Sequence, residues 1–195
     1  YNLLAWVLIT LRLKESSARL SAPRGNGAKH AQAVEIKSPG GFEQFSLLDL
    51  DPEGEDHVLA TVGYNIREGV NRVPGANSLV KVGLDKTGLP DDCVLVRVEA
   101  YSVNYADVTI RWGLYESAIR YVGYPIVPGF DFAGTVEMAG PSSRVSPGDR
   151  VSGVTFFGAY STRLLVPDRQ LRITPRKMSD SAAAALPSVA GTALH

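Results

Sequence analysis

Few side chains in this sequence are of types that make or break bonds. Cys93 is the single cysteine. It opens an alternating stretch with no histidine beside it to act as base, so it reads as a small core residue. His30, His57 and His195 are scattered without metal-ligand spacing. Asp131 is a carboxylate with no visible partner in sequence, and one carboxylate is not an acid–base pair. Asn104 closes a strand-like run. Its amide both donates and accepts, so it reads either as a turn former at a strand end or as an amide that holds a ligand. Tyr105 and Tyr115 offer aromatic surface for a pocket or for a core, while Trp6 and Trp112 read as packing residues. The chemistry these residues offer is hydrogen bonding and aromatic contact, without an activated nucleophile or a metal cluster.

The elements that must position them follow from periodicity. From Val94 to Ala100 the even positions fall on one face and Leu95, Arg97, Glu99 and Tyr101 on the other, the period of a strand. Both faces are partly apolar, as inside a small barrel. Residues 104–111 have helical character, and Gly113 is placed to end that helix. Short strands are predicted at 134–138, 150–154 and 162–166, with Pro147-Gly148-Asp149 turning between two of them. Upstream, 33–37 and 45–50 read as a hairpin around Pro39-Gly40-Gly41. Ser179-Asp180-Ser181 caps an alanine-rich helix that Pro187 is expected to interrupt, with a second helical segment from Ser188. Residues 53–89 lack a sustained period and read as a long insertion with one short strand at 78–82.

The chain of 195 residues carries 20 basic and 20 acidic side chains. That balance gives no reason to expect a nucleic-acid partner. One cysteine excludes an internal disulfide and fits a reducing compartment, so cytoplasmic is the first expectation. Residues 1–13 are almost continuously apolar but shorter than the about 20 residues a bilayer requires. Residues 14–29 are basic and serine-rich, a composition suited to organelle targeting. Membrane contact through 1–13 and organelle targeting through 1–29 are therefore the alternatives. Gly25-Asn26-Gly27 lies in a stretch of small and turn residues and reads as flexible linker. Residues 1–32 are expected to be an extension outside the fold.

Four stretches in this order and spacing carry a resemblance: VLVRVEAYSVNYADVTIRWGLY (94–115), YPIVPGFDFAGTVEMAG (124–140), GDRVSG (148–153) and SDSAAAALPSVAGTALH (179–195). Together they resemble the GroES-like catalytic domain of the medium-chain dehydrogenase/reductase superfamily, in its quinone-reductase, zeta-crystallin and vesicle amine transport branch. The resemblance implies an α+β fold, mainly β: a partly open barrel with short helices over 33–178. Residues 179–195 would begin the interdomain helices, cut short, and the Rossmann domain would be absent. Zinc-dependent members place ligands where this chain has Asn104 and Phe130, with a further cysteine near Ser188. An amide and a phenyl ring cannot serve there, so a zinc-free site is expected.

The resemblance further implies NADPH as hydride donor to a quinone or an α,β-unsaturated carbonyl, with the cofactor supplying the chemistry. Asn104 would stand beside the nicotinamide. Asp107 would orient the site or cap its helix. Thr109 lies where these enzymes often have a cofactor-touching tyrosine, and Thr192 matches a threonine near the nicotinamide. Tyr105, Tyr115, Phe130 and Asp131 would surround the substrate. Family members suggest a homodimer for the parent protein. No Gly-rich strand–turn–helix is present to hold the pyrophosphate, so the chain alone is expected to be inactive. The alternatives are a membrane-linked, non-enzymatic scaffold on the same fold and a stand-alone barrel.

Overall fold

A computed structural model describes residues 9–12, 31–50, 58–63, 82–84 and 89–194. The expected targeting stretch 14–29, the linker and most of 53–89 lie outside the described residues. The spine is β6 (Cys93–Val103). Val94, Leu95, Val96, Val98 and Tyr101 are buried in one core cluster, and Ala100 is buried in another. A strand apolar on both faces must be covered on both, which is what the sequence pattern required.

Antiparallel partners flank it. On one edge lies β7 (Asp131–Ala139), followed by β8 (Arg150–Val154) and β10 (Leu171–Ile173). On the other, β9 (Arg163–Pro167) pairs with Cys93–Arg97, and β1 (Ile9–Arg12) pairs with Ala100–Val103, beyond the reach of β9. Then come β4 (Val58–Val62), parallel to β9, and β5 (Val82–Leu84), antiparallel to β4. The path runs β10-β8-β7-β6-β9-β4-β5, and its ends are not paired to one another among the described residues. The barrel is thus partly open. Two register shifts between β6 and β7 bend the spine.

Two stretches differ from expectation. Residues 9–12, within the expected extension, add a strand to the sheet. The stretch read as an insertion supplies β4 and β5, where one strand at 78–82 was expected. Strands of three to five residues are too short to show a sustained period, which is why the pattern missed them. The predicted hairpin is present as β2 (Gln32–Ile36) and β3 (Phe45–Asp49). It joins the body through bridges from Ala33 to Ser161 and from Ile36 to Ile126.

Helix α1 (Tyr105–Arg111) ends at Gly113, whose φ of 73° suits a glycine. Helix α2 (Glu116–Tyr121) follows. The expected break at Pro187 does not occur: α3 (Asp180–Leu194) runs through it. Proline lacks an N–H to give the helix. The next N–H, that of Ser188, is given instead to Asp131 Oδ1 at 3.0 Å. A tertiary partner thereby satisfies a donor that the disturbed turn would leave bare. The alanines Ala183 and Ala184 pack against Ala100 and Ala133 of the sheet, and their small size lets the helix lie close. Among the described residues, no helix is long and apolar enough to cross a membrane.

Candidate functional site

The site forms where β6 ends and β7 begins. Ser102 is fully buried near the end of β6. Asn104 is the N-cap of α1, and Asp107 is its third residue. Asp107 Oδ2 accepts the backbone N–H of Asn104 at 2.8 Å, and the N–H of Asp107 is in turn accepted by the Asn104 side chain, with the Asn104 backbone carbonyl at 3.0 Å. This reciprocal capping fixes the first turn.

Asp107 does more than cap. Its Oδ1 accepts the N–H of Gly129 at 2.9 Å, which ties α1 to the loop before β7. Gly129 holds φ at 98°, and a Cβ there would lie 2.4 Å from the Tyr160 ring. Only glycine lets that backbone approach Asp107. Burial pushes the Asp107 carboxyl up to about 7, against the lowering effect of the Asn104 and Gly129 N–H bonds, and the nearby Asp131 charge raises it further. Tyr160 faces the same carboxylate with its hydroxyl buried and without a hydrogen bond of ordinary geometry. Burial, and then the Asp107 charge, push that phenol up.

Asp131, the first residue of β7, is 0% exposed and gathers four hydrogen bonds. Its Oδ2 accepts from Ser102 Oγ at 2.7 Å and from Asn104 Nδ2 at 2.9 Å. Its Oδ1 accepts from the Ser188 N–H at 3.0 Å and from Ser188 Oγ at 2.6 Å. Asn104 Nδ2 also donates to Ser102 Oγ at 3.0 Å. Asn104 is thus held by both carboxylates, through its backbone by Asp107 and through its side chain by Asp131.

Beside this polar floor stands an aromatic wall. Phe130 packs against Tyr115 (ring centroids 5.9 Å apart), Phe156 (6.2 Å) and Phe157 (5.5 Å), and Phe156 meets Phe157 at 4.5 Å. Phe157 is fully buried with φ at 107°, a conformation rare outside glycine. It costs on the order of 1–3 kcal/mol and persists only where packing holds it.

The structure brings Asn104, Asp107 and Asp131 together, and joins Phe130 to Tyr115. Asp131 lies beneath the site rather than lining it. Tyr105 is 60% exposed, so it is no core residue, and it stands edge-on to Trp112. The Thr109 hydroxyl is turned back to the Ala106 carbonyl of its own helix at 2.8 Å. Thr192 is exposed, one helical turn beyond Ser188 and on the same face. Ser102 and Tyr160 went unread in the sequence, and Ser188 was noted only for its place near a ligand position. Ser102 is separated from Asp131 by 29 residues and Ser188 by 57, so no local pattern announces them. The pair Phe156-Phe157 before Gly158 was the legible sign of the wall. Among the described residues, no three His, Cys, Asp or Glu side chains converge as metal ligands would.

Residues 90–176 match the family model of the alcohol dehydrogenase GroES-like domain. The mycocerosic acid synthase-like polyketide synthase of Mycobacterium tuberculosis is 35% identical over 142 residues, covering 72% of this chain and 6% of its own length. Bovine quinone oxidoreductase-like protein 2 is 34% identical over 102 residues, covering 52% of this chain and 28% of its own. Among solved structures, Escherichia coli quinone oxidoreductase complexed with NADPH superposes with a TM-score of 0.55 at 22% identity, over 79% of this chain and 36% of that one. The chain therefore spans well under half the length of these relatives.

Proposed function

We propose that this chain, whose residues 90–176 form an alcohol dehydrogenase GroES-like domain, makes the substrate side of an NADPH-dependent, zinc-independent reductase of the medium-chain dehydrogenase/reductase superfamily, akin to the quinone oxidoreductases. Its acceptors are quinones or α,β-unsaturated carbonyl compounds. The observation that carries this reading is the pairing of a hydrogen-bonded Asn104 with the buried Phe130 ring. At the positions where zinc-dependent members hold ligands, the chain has an amide committed to Asp131 and a ring committed to its aromatic neighbours. Neither is a donor for zinc.

The residues fit one end of the cofactor. A nicotinamide presents a flat ring and a carboxamide, and Asn104 with the wall from Tyr115 to Phe157 suits such a group in kind. Phosphates find no comparable partner among the described residues: α1 is capped by its own side chains, and α3 opens with Asp180. Bound NADPH supplies the hydride. The chain's residues supply the rest. Asp107 and Asp131 hold Asn104 in place, and the aromatic wall excludes water, which strengthens every polar contact beside it. Tyr105, Thr109 and Thr192 belong to this reading as flanking positions.

The larger share of the chain matched by a polyketide synthase extends the acceptors to α,β-unsaturated thioesters. The test is NADPH oxidation by the full-length protein, followed at 340 nm, with a benzoquinone, an enone and an enoyl thioester as acceptors. Turnover of at least one supports the reading, and the ranking identifies the class. Tight NADPH binding with no turnover of any would replace it with a binding role.

A further inference from the structure

Helix α3 is held to the sheet unevenly along its length. Its start is anchored: Arg150 Nη2 donates to the Met178 carbonyl at 2.8 Å and to Asp180 Oδ1 at 2.5 Å, and Ala183 and Ala184 pack on the sheet. Its tail, residues 191–194, is exposed. Pro187 stands between the two, and a proline ring disturbs the turn before it while removing one donor of the helix. Ser188 is the first residue past that point. Its N–H and its hydroxyl both go to Asp131 Oδ1, at 3.0 and 2.6 Å.

The other oxygen of the same carboxylate serves the site. Asp131 Oδ2 accepts from Ser102 Oγ at 2.7 Å and from Asn104 Nδ2 at 2.9 Å. A carboxylate has about four acceptor positions, two on each oxygen, and the donors here occupy each oxygen in pairs. The group is planar and rigid, so a pull on Oδ1 turns Oδ2 with it. Asp131 is fully buried, so a donor that moves away is not replaced from bulk solvent.

We infer that Ser188 is a positioning residue: through Asp131 it joins the turn of α3 at Pro187 to the Asn104 side chain, so that the placement of the tail of α3 sets the placement of Asn104. The inference rests on the reading above, in which Asn104 contacts the nicotinamide or the acceptor, and adds what controls that contact. A shift of the tail that lengthens the Ser188 bonds frees the carboxylate to turn, and Asn104 loses a fixed partner. The capping bonds between Asn104 and Asp107 remain. Helix α1 therefore keeps its first turn, while the amide is held from one end instead of two.

Two measurements test this. The first needs no ligand. In the nitrogen-15-labelled full chain, the Asn104 side-chain nitrogen should show an order parameter of about 0.85, that of rigid backbone, and Ser188→Ala should lower it to about 0.6 or less, the range of flexible groups. Ser188→Thr keeps the hydroxyl and should leave the value high. An Asn104 side chain as rigid in Ser188→Ala as in the wild type overturns the proposal, whatever any ligand does.

The second measurement uses the full-length protein with NADPH and its best acceptor. Ser188→Ala should lower kcat about tenfold with KM little changed, because a displaced contact slows an oriented reaction. Ser188→Thr should restore it. In an Asn104→Ala background, Ser188→Ala should not lower the remaining rate further, since the two act in one path. Equal losses in both backgrounds would mean that Ser188 acts without Asn104, and overturn the proposal. Pro187→Ala separates position from stability. It returns an N–H to the helix and favours the regular turn, in which the Ser188 N–H bonds within α3. It should hold or raise the unfolding midpoint and still lower kcat, whereas a merely structural role would leave kcat unchanged. An order parameter that falls as expected, with no turnover of any acceptor, would retain the coupling and reject the NADPH reading.

Discussion

The polar floor and the aromatic wall stand side by side and are held by different physics. In the floor, Asn104, Asp107, Asp131, Ser102 and Ser188 are joined by directed bonds of 2.6–3.0 Å, with each donor assigned to an acceptor. In the wall, Tyr115, Phe130, Phe156 and Phe157 meet with centroids 4.5–6.2 Å apart and no shared polar group. Directed bonds specify one arrangement and tolerate little change of chemistry. Ring packing tolerates change of chemistry provided volume is kept. The difference predicts a floor sensitive to replacements of equal size and a wall sensitive mainly to replacements that leave a hole.

The largest effect should come from Asp131→Ala. It strands donors of Ser102, Asn104 and Ser188 in the interior, at a cost of about 3–5 kcal/mol, measured by urea unfolding of the full chain. A loss below about 1 kcal/mol would mean that the floor is not the rigid part. Next, Phe130→Ala should cost about 3 kcal/mol and Phe130→Leu about 1 kcal/mol, because leucine fills most of the hole. Equal losses for the two would break the contrast drawn for the wall. Gly129→Ala should cost about 2 kcal/mol, through the positive φ and the collision with Tyr160.

The effect hardest to isolate is one of pH, since it is read against the titration of every other carboxylate. Asp107 has a folded-state value raised to about 7 from 3.8. The folded state therefore holds a proton that the unfolded state has lost between those values. Stability from this group is present below about pH 4, falls as pH rises toward about 7, and is flat above. Asp107→Asn should flatten that slope, as measured by thermal unfolding across the range. A slope of opposite sign removed by the variant would contradict the burial of this carboxyl.

Much of the fold was legible in the sequence. The alternation of Val94 to Tyr101 announces β6, Pro39-Gly40-Gly41 announces the hairpin, and Gly113 marks the end of α1. Each is a local pattern with a local cause. Helix α3 was misjudged at Pro187 because the group that satisfies Ser188 lies 57 residues away in β7. The same holds for the site. Asn104 and Asp131 stood out as residue types, whereas their roles, and the choice of Asp107 and Phe130, came only through the resemblance of their stretches to a known family. That Asp131 ties the Ser102–Asn104 stretch to α3 depends on tertiary placement that no spacing records.

Hydride transfer without zinc, as proposed, is tested by NADPH oxidation by the full-length protein with its best acceptor, before and after exhaustive chelation, with zinc content measured in both samples. An unchanged rate and no stoichiometric zinc are expected. A rate abolished by chelation and restored by added zinc would contradict the proposal.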